Sequence, residues 1–321
     1  MRILVTGGSG FIGSNLVPSL TGHAEVINLD VTPPRNRTSS NSWRMCSILD
    51  EAELAKEFRR FKPTHVVHLA ARTDLGGTST HDYVANTGGV RSVMRAIEAC
   101  GTVSHTLYAS SRLIFAIDHE PKSTFDYHPS TPYGESKVMG EELVRSEASQ
   151  FSSWSIVRPT SIWGPWFDTP YRDFFDMVAK GRYVKFKGRD PLKSFGYVGN
   201  VVHQISEILK ADTEITNEGV YWLSDYEPLR LSAWADSVAK SLGRRPPRYA
   251  PWLLARAAAR LGDLATKVGV DRVPLTTFRL NNLVTNMVYD TSATEGVVGP
   301  LPYDMHTAVQ VTADWYKSQG H

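Results

Sequence analysis

The sequence predicts an α/β protein built on a doubly wound parallel sheet, followed by a smaller mixed α/β lobe. In its first half, short apolar runs alternate with helix-length segments, which is the pattern of a parallel sheet covered by helices on both faces. The glycine cluster "GGSGFIG" at 7–13 joins the first run to the first helical pattern. A length of 321 residues exceeds that of a usual single domain. Two domains are therefore expected.

The first domain is predicted over residues 1–165, with its elements in a regular order. Strands are expected at "RILVT", "EVINLD", "THVVHLAA", "HTLYASS" and "WSIVRP". Helices are expected at "FIGSNLVPSL", "YVANTGGVRSVMRAIEAC" and "YGESKVMGEELVRSEA", with a polar loop after the second strand. Pro18 is unusual inside the first helix, because an interior proline kinks or ends a helix.

The second region, 166–321, is less regular and is predicted to bind the substrate. Its helical patterns are "VVHQISEILKA", "LSAWADSVAKSLG", "PWLLARAAARLGDLATKVG" and "MHTAVQVTADWYKS", whereas "YVKFK" and "VYWLS" alternate like strands. Segments near 195–210 and 285–292 are expected to pack back on the first domain.

Charge and cysteine content narrow the functional classes. With 35 basic and 33 acidic residues the net charge is +2, which disfavours nucleic acid or an anionic membrane as the main partner. Cys46 and Cys100 supply neither a disulfide framework nor a metal cluster, so no metal is predicted. No apolar run of about 18 residues occurs. Because the first predicted strand starts at once, no signal peptide is expected. We expect a cytoplasmic protein with a small-molecule substrate and no integral membrane segment.

The glycine cluster predicts a dinucleotide site of the Rossmann type. Gly7, Gly10 and Gly13 give one spacing, and Gly8, Gly10 and Gly13 give the literal G-x-G-x-x-G pattern. Both registers predict a strand, a turn without Cβ atoms and a helix whose free N–H groups receive a pyrophosphate.

An acidic residue at the end of the second strand favours NAD over NADP. Asp30 follows Gly13 by 17 residues, where a carboxylate accepts hydrogen bonds from the adenosine ribose and repels a 2′-phosphate. Arg35 and Arg37, in the following loop, weaken that preference.

Tyr133 and Lys137 in "YGESK" are the predicted catalytic pair. On a helix, residues four apart lie about 6 Å apart on one face, whereas a second Tyr-Lys pair, Tyr183 and Lys187, falls on the predicted strand "YVKFK". Lys137 would lower the pKa of Tyr133 and hold the nicotinamide ribose, so that Tyr133 takes a proton from a substrate alcohol. Ser111, at a strand end, would hydrogen-bond to the same substrate oxygen.

Across essentially its full length the chain resembles the extended short-chain dehydrogenase/reductase family, and within it the NAD-dependent sugar-nucleotide epimerase/dehydratase group. The resemblance rests on "TGGSGFIG", Asp30, "HLAA", Asn86, "YASSRLIF", the Tyr133/Lys137 pair, "RPTSIWGP" and "VYDTSATEGVVGPLPY". It implies an NAD-dependent enzyme that commonly dimerises through two helices of the first domain. We therefore expect a homodimer.

The resemblance also implies residue roles. The residues expected to hold the cofactor are Gly7, Gly10, Phe11, Ile12, Gly13, Asp30, Ile48, Leu69, Ala70, Ala71, Asn86, Tyr133, Lys137, Pro159 and Thr160. Ser111, Tyr133 and Lys137 are the expected catalytic set. Arg112, Lys193 and Arg279 are the expected substrate cations, the last two on a diphosphate.

Departures from the family pattern reduce the number of reactions that the chain is expected to catalyse. Cys46 and Ser47 stand where members often carry Gly-Asp, which puts the adenine contact in doubt. Arg112 and Leu113 replace the Asp-Glu of 4,6-dehydratases, which argues against elimination of water.

A sugar-nucleotide epimerase is favoured, because Asp30 favours NAD, Lys193 and Arg279 suit a diphosphate, and the dehydratase pair is absent. The alternatives are a dehydrogenase or ketoreductase acting on a sugar nucleotide or a bulky, sterol-like alcohol, and a non-catalytic NAD sensor. The apolar, Arg-spaced stretch "PWLLARAAARLGDLATKVG" is typical of an ordinary amphipathic helix that packs the second lobe. It also supports the sterol-like alternative, and on a membrane surface it would make a lipid-linked sugar a candidate substrate.

Overall fold

The computed structural model describes residues 1–117, 119, 121–267, 269, 270, 273 and 275–320. Its strands are β1 Arg2–Thr6, β2 Glu25–Asp30, β3 Trp43–Met45, β4 His65–His68, β5 His105–Ala109, β6 Ser153–Pro159, β7 Ser161–Trp163, β8 Val184–Phe186, β9 Leu192–Lys193, β10 Phe195–Tyr197, β11 Gly219–Leu223, β12 Leu229–Arg230 and β13 Arg248–Ala250. Its α-helices are α1 Phe11–Thr21, α2 Glu51–Phe61, α3 Val84–Cys100, α4 Pro132–Glu147, α5 Tyr171–Ala179, α6 Val198–Lys210, α7 Thr213–Thr216, α8 Leu231–Ser241, α9 Trp252–Lys267, α10 Thr277–Val284, α11 Ser292–Val298 and α12 Met305–Ser318.

A seven-stranded parallel sheet forms the centre of the first unit. Its strand order is β11-β6-β5-β4-β1-β2-β3, and every pairing in it is parallel. The order reverses beside β1, so the carboxyl ends of β1 and β4 diverge into a crevice where such sheets bind ligands. The predicted fold class is confirmed.

Two elements of this sheet region were absent from the sequence interpretation. The predicted polar loop after β2 contains β3, and α2 follows it. Asp50 caps α2 by accepting a hydrogen bond from Glu53 N at 3.1 Å, and the buried Leu54, Phe58 and Phe61 recur on one helical face. That cap and that spacing are the sequence signals for a helix.

The strand β11 joins the sheet of the first unit, although it comes late in the chain. Gly219–Leu223 pairs parallel with Ser155–Pro159 of β6. The segment "VYWLS" was predicted as a strand of the second region. A five-residue strand carries no local signal of its partner, because strand pairing is decided by distant residues.

By packing, the chain divides into two compact units. The first comprises Met1–Trp166, Gly196–Tyr226 and Asp290–Tyr303. Leu4, Ile27, Leu54, Phe58 and Val66 belong to a buried cluster between the sheet and helices α2 and α3. The sequence interpretation placed the domain boundary at residue 165 and expected segments near 195–210 and 285–292 to pack on the first domain. That division into folding domains stays a prediction.

The second unit comprises Phe167–Phe195, Glu227–Tyr289 and Asp304–His321. Helices α5 and α8 meet through the stacked rings of Phe174 and Trp234, whose centroids are 4.2 Å apart. A separate buried cluster contains Phe186, Ala255, Ala259 and Leu280. In the part of the chain that the structure describes, no helix is long and apolar enough to cross a membrane.

Candidate nucleotide-binding and catalytic site

The glycine turn after β1 requires residues without side chains. Gly7 has φ +73°, and a Cβ there would lie 2.5 Å from Ala70 N. A Cβ on Gly13 would lie 2.4 Å from Gly8 Cα. Both distances are shorter than any real contact, so the bare backbone keeps the turn tight and the entrance to α1 open. This is the shape that a pyrophosphate needs.

The first turn of α1 presents backbone amides to that entrance. The first intrahelical hydrogen bond runs from Ser14 N to Gly10 O at 2.8 Å, so the N–H groups of Phe11, Ile12 and Gly13 precede the helical ladder. Asp30 lies beside them, because its Oδ2 accepts a hydrogen bond from Ser9 N at 3.0 Å. The turn and the predicted ribose ligand therefore share one site.

The loop after β4 forms the other side of the turn. Leu69 N donates to Thr6 O at 3.0 Å, and Ala70 N lies against Gly7. Leu69, Ala70 and Ala71 are each partly exposed. Their backbone is thus held at the carboxyl edge of the sheet, where the sequence interpretation expects the nicotinamide half.

Two expected cofactor residues have structural roles. Asn86 is buried; its Oδ1 accepts from Arg72 N at 2.8 Å, and its Nδ2 donates to Arg72 O at 3.0 Å and to Ser136 Oγ at 2.9 Å. Ile48 lies in the hydrophobic core beside Gly89. The Asn86 side chain links the loop after β4 to α4, and its polar atoms are already hydrogen-bonded.

Tyr133 and Ser111 come together at the carboxyl end of β5. Tyr133 is in the first turn of α4, which Thr131 caps by accepting from Gly134 N at 3.0 Å. Burial raises the pKa of Tyr133, while a hydrogen bond with Ser111 opposes that rise. The ring of Tyr83 packs edge-on at 5.8 Å between centroids. A buried phenol beside a strand-end hydroxyl is suited to exchange a proton with a substrate alcohol.

Lys137 lies one turn further along α4, as predicted. Its Nζ donates to Ala109 O at 2.9 Å, and burial lowers the pKa of Lys137 to about 8. The sequence interpretation assigned the tuning of the Tyr133 pKa to Lys137. In the structure burial dominates that pKa, with Ser111, Tyr83 and Arg112 as the neighbouring influences.

Arg112 is the cation that favours the Tyr133 phenolate. Its charge lowers the pKa of Tyr133. Arg112 Nη1 is buried and has no hydrogen-bond partner among the residues that the structure describes. A buried guanidinium N–H without an acceptor is suited to a ligand oxygen.

The remaining expected residues are divided between the two units. Pro159 ends β6, and Thr160 donates through both N and Oγ1 to Leu223 O at 3.1 and 3.0 Å. In the second unit, Lys193 is buried and its Nζ donates to Asn282 O and Thr285 O at 2.7 and 2.6 Å. Arg279 is exposed and donates to Val273 O at 2.8 Å. The Lys193 ammonium thus already binds two carbonyls of its own unit.

The sequence interpretation missed an ion pair between α4 and the sheet. Glu141, four residues after Lys137, accepts two hydrogen bonds from Arg158 of β6 and a third from Tyr127 Oη at 2.7 Å. The sequence did contain a signal for this residue, because Glu141 follows Lys137 by one helical turn on the same face of α4. The pair joins α4 to the sheet and so holds Tyr133 and Lys137 at the strand ends.

Comparisons with known proteins agree with this geometry. The family model described as NAD dependent epimerase/dehydratase family matches residues 3–223. The chain belongs to that family. It is 24% identical over 319 residues to N-acetyl-alpha-D-glucosaminyl-diphospho-ditrans,octacis-undecaprenol 4-epimerase of Escherichia coli O157:H7, covering 98% of this chain and 95% of the relative.

A further relative and a solved structure extend the comparison. A 3-beta-hydroxysteroid dehydrogenase of Mycolicibacterium neoaurum is 28% identical over 266 residues, covering 77% of this chain and 71% of the relative. The crystal structure of Thermus thermophilus UDP-glucose 4-epimerase in complex with NAD superposes with a TM-score of 0.71 at 21% identity, covering 99% of each chain. The last likeness concerns the fold.

Proposed function

We propose that this family member is an NAD-dependent epimerase that inverts one alcohol carbon of a nucleotide-diphosphate sugar through a transient ketone. The observation that carries the proposal is that the buried Tyr133 lies beside Ser111 at the carboxyl end of β5, where Lys137 Nζ donates to Ala109 O, together with the bare glycine turn after β1. Bound NAD would supply the hydride acceptor for oxidation of that carbon and the hydride donor for its reduction on the other face. The relatives named as 4-epimerases support this reaction.

The chain's own groups are suited to hold the cofactor. The amides of Phe11, Ile12 and Gly13 would bind the pyrophosphate, because they precede the first helical hydrogen bond. Asp30 would accept the ribose hydroxyls, since Ser9 N holds its carboxylate beside the turn. Lys137 would donate to the nicotinamide ribose. Its lowered pKa leaves the ammonium partly deprotonated near pH 8.

The proton step belongs to Tyr133. As phenolate it takes the hydroxyl proton while the carbon–oxygen single bond becomes a carbonyl, and it returns that proton when the alcohol re-forms. Ser111 donates a hydrogen bond to the same substrate oxygen. Arg112 stabilises the phenolate, because a nearby positive charge favours the ionised form. Its buried Nη1 supports the further role of a substrate cation.

A second candidate function is oxidation of a bulky hydrophobic alcohol by the same residues. The hydroxysteroid dehydrogenase relative favours it. A third possibility for the epimerase itself is a sugar carried on a polyprenyl diphosphate, the substrate in the name of the Escherichia coli relative. The same Ser111, Tyr133 and Lys137 chemistry serves all three substrates.

A proton NMR time course with substoichiometric NAD tests the proposal. The purified protein is mixed with UDP-, GDP- and dTDP-sugars, and the anomeric signals are followed. Many turnovers to an epimer at constant total sugar support a redox-neutral epimerase. Conversion limited to the amount of NAD, together with oxidation of a sterol-like alcohol, would favour the dehydrogenase instead.

The proposal includes a homodimer in the cytoplasm. Val84 at the start of α3 and Met139 on α4 are 51% and 44% exposed, which is consistent with an interface on these helices. Light scattering after size exclusion would detect the dimer, and Met139→Glu should convert it to monomer.

A further inference from the structure

Helix α9 carries leucines on its outer face. Leu253, Leu254, Leu261 and Leu264 are between 59% and 74% exposed. At about 100° per residue, these four side chains span an arc of about 100° around the helix. Leucine is normally buried, so an arc of four exposed leucines marks a surface that binds something apolar.

The inner face of α9 packs against the rest of its unit. Ala255, Ala259 and Gly262 are buried, and the alanines pack in one cluster with Phe186 and Leu280. A Cβ on Gly262 would collide with Leu275 O, so the helix lies directly on the chain that precedes α10. The outer leucines are therefore not needed for packing within this unit.

A row of cations borders the leucines. Arg256, Arg260 and Lys267 are exposed, and helical geometry places them within about 40° of one another, ending about 20° from Leu253. The helix has a single acid, Asp263. Its carboxylate accepts hydrogen bonds from Thr277 N at 2.9 Å and from Thr277 Oγ1.

The surrounding sequence is strongly basic. Residues 244–279 contain eight arginines and lysines against two aspartates, a net charge of +6, whereas the whole chain has +2. The near-neutral total therefore conceals a local excess of positive charge. Such an excess attracts an anionic surface within a Debye length of about 8–10 Å.

We infer that α9 seats this protein on an anionic lipid bilayer, with its leucines in the acyl boundary and its cations against the phosphates. Sixteen residues reach only about 24 Å, too short to span a bilayer. A leucine face beside a basic row is the pattern of a helix lying in the interface. A second copy of this chain would bring the same cations together and is disfavoured by repulsion.

The inference also bears on the substrate, and this part rests on the proposed function. A protein held at a bilayer meets substrates anchored there, so a sugar diphosphate with an apolar carrier is favoured over a free nucleotide sugar. Membrane binding itself needs no catalysis. It can therefore succeed or fail independently of the epimerase assay.

Co-sedimentation of the full chain with vesicles tests the inference. Vesicles of equal parts phosphatidylglycerol and phosphatidylcholine are compared with pure phosphatidylcholine, without cofactor or sugar. We expect binding to the anionic vesicles that weakens severalfold from 50 to 300 mM salt. Leu253→Ser/Leu264→Ser should lower the partition coefficient about tenfold or more. Arg256→Gln/Arg260→Gln should lower it severalfold and flatten the salt dependence.

A matched pair elsewhere controls for loss of apolar surface. Leu75 and Ile215 are 56% and 66% exposed outside α9, and Leu75→Ser/Ile215→Ser should bind vesicles like the wild type. Circular dichroism and the melting temperature confirm that each variant folds. Absence of binding to anionic vesicles, or equal loss in the control pair, would overturn the inference. So would self-association of the wild type that Leu253→Ser/Leu264→Ser abolishes while leaving vesicle binding unchanged.

Discussion

Glu141 of α4 and Arg158 of β6 form a buried, two-point ion pair, with Nε to Oε1 at 2.9 Å and Nη2 to Oε2 at 2.6 Å. The Arg158 guanidinium also lies within 6 Å of the rings of Phe115 and Trp222. Because Tyr133 and Lys137 lie on the same helix as Glu141, this pair anchors the helix that carries the proposed catalytic residues to the sheet.

Removing one partner of this pair should destabilise the fold strongly. Glu141→Leu leaves the Arg158 charge buried without its counter-ion, and we expect a loss of about 3–5 kcal/mol in the free energy of unfolding. The double variant Glu141→Leu/Arg158→Met should regain at least half of that loss. Urea unfolding measures both, and equal stability of the single variant and wild type would contradict the prediction.

Tyr133→Phe should abolish turnover while preserving the fold. It removes only the hydroxyl to which the proposed mechanism assigns the substrate proton, so kcat should fall by about 10²–10⁴-fold. NAD affinity, measured by calorimetry, should change little. Retained turnover would show that another group carries the proton, whereas a non-catalytic NAD sensor would have no turnover to lose.

Arg112→Gln should shift the pH profile of kcat/KM. The positive charge lowers the pKa of Tyr133; without it that pKa rises, and the acidic limb of the profile should move to higher pH. Arg112→Lys keeps the charge and should shift the limb less. An unchanged profile in Arg112→Gln would exclude this electrostatic role.

Gly7→Ala should lower the free energy of unfolding by more than the strain of an alanine in the left-handed backbone conformation. Gly101 provides the matched control, since its φ is +63° but a Cβ there meets no atom within 4 Å. Gly101→Ala should cost about 1–2 kcal/mol. Gly7→Ala should cost about 1–3 kcal/mol more, because its Cβ collides with Ala70 N. Urea unfolding of the two variants measures both losses in the free energy of unfolding. Equal losses would show that the loop after β4 moves to accommodate the added Cβ.

His105 should make stability fall in acid. Burial lowers its pKa to about 4, below the unfolded value of about 6.5. Between pH 6.5 and pH 4 the His105 imidazole is therefore protonated in the unfolded chain and neutral in the folded one. The contribution of His105 to the free energy of unfolding is complete above pH 6.5 and falls by about 1.4 kcal/mol per pH unit toward pH 4. Urea unfolding from pH 7.5 to 4.5 should show a shallower fall for His105→Gln. An identical fall would assign the effect to other groups, such as the buried His68.

The overall composition does not show that basic residues lie beside exposed leucines on α9. The net charge of +2 disfavours an anionic membrane as a partner when the chain is taken as a whole. The structure divides the same charges by position and leaves Arg256, Arg260 and Lys267 beside exposed leucines. A sum over the chain cannot report that arrangement, because it discards the helical phase of each residue.

The local features of the site were determined by the sequence alone. The Gly7–Gly13 turn, Asp30 at a strand end and the Tyr133/Lys137 pair depend on backbone freedom and on spacing within a few residues. Tertiary structure alone decided that β11 pairs with β6, that Asn86 and the Lys193 ammonium are held by distant backbone groups, and that Arg112 acts on Tyr133. These outcomes depend on burial and on contacts between residues far apart in the chain, which local periodicity and spacing do not encode.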